Sequence, residues 1–186
     1  MASYINATTA KNRVKLLIVK ASDLSVAGSP AQTDFYSATN NTTGAITPST
    51  GKPVELSGLQ DVTINNSNGS FRWKQLDKSG ESVITTNATN SLSGNFVLDT
   101  TDFWGDSAST SGKAAYDGIF KLSNERTEIA FLIAPAGAVD GETVLMGTGF
   151  ISALAPTVSA DSPVWVSPLT IEVNGDYAKD VVTLGA

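Results

Sequence analysis

Apolar residues recur at every second position in short runs along most of this chain, and that period calls for β-strands rather than helices. In RVKLLIVKA (13–21), Val14, Leu16 and Ile18 alternate with Lys15, Leu17 and Val19, which reads as a strand with one face fully buried. SFRWKQL (70–76) sets Phe71 and Trp73 on one side and Arg72 and Lys74 on the other. SLSGNFVLD (91–99) gathers Leu92, Phe96 and Leu98 on one face, with Gly94 expected to form a bulge. TEIAFLIA (127–134) does the same with Ile129, Phe131 and Ile133, and ETVLMGTGFISAL (142–154) continues as a long strand bent at Gly147 and Gly149. Stretches such as NNSNGS (65–70) and DKSGES (77–82) carry residues that accept turn geometry and are expected to separate the strands.

One segment departs from the alternation. SGKAAYDGIFKLSNE (111–125) spaces Ala115, Ile119 and Leu122 for a helix of about three turns with Ser111 as its N-cap. Between about 26 and 53 runs a long stretch with almost no strand signal, and Phe35 and Tyr36 in its middle imply that it docks somewhere. An extended segment 1–12 leads in, and a strand pair over about 142–173 closes the chain around a polar crossing bounded by Pro156 and Pro163. With 186 residues the expectation is a single domain, 1–186: mainly β, a sandwich or barrel with one flanking helix and a long loop. Its strand edges carry little charge, so an oligomer that pairs them is the expected remedy.

The available chemistry is narrow. There is no cysteine and no histidine, which excludes thiolate nucleophiles, Ser-His-Asp triads, disulfides and imidazole or thiolate metal sites. Asp99, Asp102 and Asp106 cluster in DTTDFWGDSAST, but the spacing is not that of an EF-hand; these carboxylates read as caps of turns anchored by Phe103 and Trp104. Glu125 with Glu128, or Asp99 with Asp102, lack the aromatic platforms of a glycosidase cleft. No catalytic, cofactor or metal site is expected. Eighteen acidic and 12 basic residues give a net charge of −6, the wrong sign for a protein that grips nucleic acid. Lys11, Arg13, Lys15 and Lys20 form a basic group without interleaved stacking aromatics, so salt bridging across an interface or ordinary solvation is its expected role. MASYINATTAKNR has no apolar h-region and no run approaches the roughly 18 apolar residues of a membrane span, so a non-membrane protein made in the cytoplasm is expected.

The C-terminal third, NERTEIAFLI (124–133) followed by GETVLMGTGFISALAPTVSADSPVWVSPLTIEVNGDY (141–177), resembles the close of major tail tube proteins of long-tailed bacteriophages. A strand with a Gly-Phe-Ile-Ser-x-Leu-like run, a proline-bearing crossing, a last strand and a glycine follow one another as in that family, over about 80 residues and without a catalytic signature. The resemblance implies a β-sandwich or barrel with a flanking helix, assembled as hexameric rings that stack into a tube. It further implies a tape measure protein, terminator and tip proteins as partners, passage of double-stranded DNA without specific binding, and a place in the virion. On that reading Phe35 and Tyr36 anchor the long loop to a neighbouring subunit, and Lys11, Arg13, Lys15 and Lys20 pair with a neighbour's acids. An adhesin, pilin or carbohydrate-binding β-domain shares the Thr/Asn/Gly-rich composition and is the alternative.

Overall fold

The computed structural model describes residues 14–39, 46–49, 53–56, 58–75, 79–106, 116–135, 141–158 and 164–182. Its strands are β1 (Lys15–Lys20), β2 (Tyr36–Thr39), β3 (Ile46–Pro48), β4 (Val54–Glu55), β5 (Leu59–Lys74) and β6 (Glu81–Val97). After them come β7 (Gly105–Asp106), β8 (Tyr116–Asp117), β9 (Ile129–Ala134), β10 (Thr143–Leu154), β11 (Val166–Val173) and β12 (Ala178–Val181). Three short helices punctuate them: α1 (Gln32–Phe35), α2 (Thr100–Trp104) and α3 (Ile119–Asn124). An eight-stranded antiparallel sheet runs β4-β1-β9-β10-β11-β6-β5, with β12 alongside the first part of β10.

The sheet curls on itself. Leu16 and Ile18 of β1, Phe131 and Ile133 of β9, Leu92 and Phe96 of β6 and Ile171 of β11 share one buried cluster, although several strands separate them along the sheet. Strand twist supplies the coiling, and a register shift in β10 between Ile151 and Ala153 adds to it. Ile119 and Leu122 of α3 enter the same core, completing the barrel-like body with a flanking helix. Odd positions of β1 and even positions of β9 build a second core on the opposite face: Leu17, Val19, Ala130 and Leu132 pack with Val144, Met146, Phe35, Tyr36 and Val182. β1 is therefore buried on both faces, not on one.

Other expectations change in physical detail. The helix expected over 111–125 starts only at Ile119, after Gly118; Tyr116 and Asp117 instead pair as a strand with Gly105 and Asp106, and Ser111 lies outside the described residues. Gly94 is no bulge: it stays in register with Val62 and Leu169, and a Cβ there would sit 2.3 Å from the Asp61 carbonyl oxygen. NNSNGS is no turn but the middle of β5, because cross-strand pairing overrides local turn preference. Within the long stretch 26–53, α1 and a β2–β3 hairpin form where no strand signal was read.

Candidate assembly surfaces

β5 and β6 make a ribbon that outruns the body. Their pairing extends from Leu59↔Phe96 to Lys74↔Glu81, whereas β11 accompanies β6 only from Val97 to Asn90. Past Asn90 the ribbon is two-stranded among the described residues, a form with little stability of its own in water. A register shift divides this arm where Gly69 faces Thr86 and Asn87. Beyond it the faces differ. Phe71, Trp73 and their cross-strand neighbour Ile84 form an apolar face, with the Phe71 and Trp73 rings stacked at 6.0 Å between centroids. Arg72, Lys74 and Glu81 occupy the reverse, with Arg72 Nη1 and Glu81 Oε2 3.4 Å apart.

The arm's root is fastened to the turn between β11 and β12. Asn90 Nδ2 donates to the Gly175 carbonyl at 2.9 Å, and the Tyr177 hydroxyl donates to the Ser91 carbonyl at 2.6 Å. Burial, with Glu172 nearby, raises the Tyr177 phenol above its ordinary value, and its ring meets Phe131 edge-on at 6.2 Å.

The convex side of β5, β6, β11 and β10 is nearly uncharged and, apart from the exposed Phe150 of β10 beside Glu172, polar. Thr63, Asn65, Ser67, Ser91, Ser93 and Thr170 alternate with the buried Leu92, Leu169 and Ile171. Asp61 and Glu172 are its carboxylates, and no lysine or arginine occurs in 59–71, 88–97, 147–154 or 166–173.

An aromatic corner lies where β6 ends. Asp99 caps α2 by accepting from the backbone N–H groups of Thr101 at 2.8 Å and Asp102 at 3.4 Å, as expected of a turn carboxylate. The buried Phe103 then holds Trp104 edge-on at 4.7 Å and Phe120 at 5.5 Å. Trp104 remains 59% exposed, Phe120 42% and Trp165 48%. A cavity of about 280 Å³ opens between Leu98, Thr100, Trp104 and Trp165. Burial raises the Tyr116 phenol, helped by Asp102, Asp106 and Asp99, so the corner carries a negative field. Among the described residues no group of acids is placed to hold a metal ion, and no helix is long and apolar enough to cross a membrane.

No protein-family model and no curated protein sequence matches the chain. Its architecture matches the SPP1 tail tube with a TM-score of 0.51 at 12% identity, over 92% of this chain and 78% of that one. The fold is the tail tube fold. Weaker likenesses reach the tail of an empty gene transfer agent particle refined with C6 symmetry (TM-score 0.47, 13% identity, 85% of this chain and all 100% of that one). A further one is to the anti-feeding prophage baseplate (TM-score 0.48, 10% identity, 99% of this chain and 100% of that one).

Within this tail tube fold the residues singled out from sequence are mostly occupied at home. Phe35 and Tyr36 dock on the second core of their own subunit, where Phe35 is 0% exposed and has no surface left for a neighbour. The Tyr36 hydroxyl donates to Gln32, whose Nε2 donates to the Val181 carbonyl at 2.9 Å, clasping α1 to β12. Burial first, then Asp180, pushes the Tyr36 phenol up to about 12. Lys15 pairs with Glu55, and Lys20 pairs with Asp117, which also takes Lys121 at 2.8 Å. Lys11 and Arg13 lie outside the described residues. Sequence reasoning saw the Phe71/Trp73 alternation but missed the arm, because nothing local says that a third strand stops at Asn90.

Proposed function

We propose that this protein is the repeating subunit of a bacteriophage tail tube: copies join side by side into rings, hexameric as the family resemblance implies, and the rings stack around a central channel. The observation that carries this reading is the arm, a two-stranded ribbon with open edges and an apolar tip on a body of the tail tube fold. Such a ribbon gains stability when other copies cover its faces and pair its edges. Heterologous contacts of this kind close into rings or propagate into tubes.

The polar convex face is the natural channel lining. Hydroxyls and amides present no fixed cations to the phosphate backbone, and each cation contact would add affinity and drag to a moving duplex. Asp61 and Glu172 repel at close range, within a Debye length of about 8–10 Å. In this role the chain catalyses nothing, takes no cofactor, and works in the virion with a tape measure protein inside the tube and terminator and tip proteins at its ends. Electron microscopy of the purified protein, with light scattering across a concentration series, tests the reading. Rings or tubes with an open channel are expected, and a monomer under all conditions overturns it.

A further inference from the structure

We propose that the apolar face of the arm tip, Phe71, Trp73 and Ile84, seats on the aromatic corner of Trp104, Phe120 and Trp165 in a second copy of this chain. The inference rests on the self-assembly put forward above and adds which surfaces meet.

Among the described residues both patches stand exposed on the surface of their own subunit. Among the described residues five Phe or Trp side chains are strongly exposed, and Phe71, Trp104, Phe120 and Trp165 are four of them, leaving only Phe150 elsewhere. Exposed aromatics concentrated in two places mark contact surfaces rather than scattered surface residues.

The two patches cannot satisfy each other in one molecule. They sit at opposite ends of one strand: β6 begins at Glu81 in the tip and ends at Val97, from which the chain enters the corner through Leu98, whose N–H donates to the Trp165 carbonyl at 2.9 Å. Sixteen residue steps at a strand rise of about 3.3 Å separate them by about 50 Å. A translated second copy brings tip and corner together, and the same contact then repeats from copy to copy, as a tube requires.

Charge agrees with this pairing. The tip's reverse face carries Arg72 and Lys74 against Glu81, while the corner is rimmed by Asp99, Asp102 and Asp106. Arg72 and Lys74 face away from the docked side and Glu81 offsets one of them, so the attraction to the acidic corner acts through space, over about a Debye length, and favours this partner without adding a contact. The cavity beside Thr100 is apolar enough, through Leu98, Phe103 and Trp165, to take one aromatic side chain.

The chain contains no cysteine, so paired thiols can be introduced on a silent background. Ser82, opposite Trp73 on the tip, and Thr100, in the corner, are the positions to use. Ser82→Cys and Thr100→Cys proteins, mixed under assembly conditions and oxidised, should give a disulfide between the two variants and none within either alone. In parallel, Phe71→Ser should raise the concentration at which assemblies appear by about tenfold or more while leaving the subunit's unfolding transition in place. Tubes that form without the mixed disulfide, with Phe71→Ser unaffected, overturn the docking and leave the tube reading standing. A Ser82→Cys to Ser82→Cys disulfide would mean that tips meet tips, and also overturns it. A wild-type protein that never assembles removes both readings together.

Discussion

β1 and the far half of β6 follow the same period-2 rule and meet opposite fates. In β1 the odd and even side chains enter two different cores, and four consecutive residues, Leu16 to Val19, are buried. In the tip, Val83 and Ile84 stand 49% and 52% exposed on opposite faces of a ribbon that, among the described residues, no third strand accompanies. Alternation thus specifies the strand, and the neighbours decide what the strand does. A strand between β4 and β9 stabilises its own subunit; one that outruns its neighbours lacks that stabilisation, which the proposed docking of another copy would supply.

The sharpest way to break this contrast is to remove one large ring from each region. Phe131→Ala should cost about 3–5 kcal/mol of subunit stability in denaturant unfolding, since it opens a cavity in the main core. Phe71→Ala should stay within about 0.5 kcal/mol by the same measurement, because its ring is already in water. Comparable losses at both sites would mean that the arm folds back on the body. Phe35→Ala should behave like Phe131→Ala, losing about 3–5 kcal/mol in the isolated subunit. An unchanged unfolding midpoint there would return Phe35 to the interface role.

Smaller effects belong to the corner and its surroundings. Asp99→Ala removes the cap of α2 and should lower stability by about 1 kcal/mol. Arg126 holds a left-handed conformation (φ 52°) just past α3, where the Thr127 N–H reaches the Leu122 carbonyl at 3.0 Å, so Arg126→Gly should raise stability by about 0.5–1 kcal/mol in thermal melts. Asp117 provides a pH test. Hydrogen bonds from Lys121 and Lys20 hold its carboxyl below the ordinary carboxylate range. A depressed folded pKa stabilises above the unfolded value near 3.9 and loses that contribution as pH falls through the folded one. Melting temperatures measured from pH 5 down to pH 2 should therefore fall less steeply for Asp117→Asn than for the native chain, and parallel curves would remove the assignment.

Much of the body was legible because its signals are local. The alternation in 13–21, 91–99, 127–134 and 142–154 names strands β1, β6, β9 and β10, and the aspartate ahead of Phe103 announces a capped turn. The failures share one cause: tertiary contacts outvoted local preference. Ala115, Ile119 and Leu122 suggested a long helix, yet Tyr116 and Asp117 are drawn into a ladder with Gly105 and Asp106. Asn65 to Ser70 suggested a turn, yet β6 runs opposite and holds those residues extended. Phe35 and Tyr36 suggested anchors to a neighbouring subunit, yet they pack on their own β1, β9 and β10, which no local signal distinguishes from an interface. The arm and corner stayed hidden for the same reason, since exposure is a property of what is missing nearby.

The register shift at Gly69, Thr86 and Asn87 has a mechanical consequence. Asn90 and Tyr177 clamp the ribbon at its base, so bending strain gathers at the next weak point outward, where two residues face one and the ladder is interrupted. The arm then acts as a lever with a joint part-way along, stiff at the shoulder and compliant at the wrist. In the proposed tube, copies linked through such joints would tilt against one another while each body keeps its shape, so that a long filament would curve without breaking its contacts.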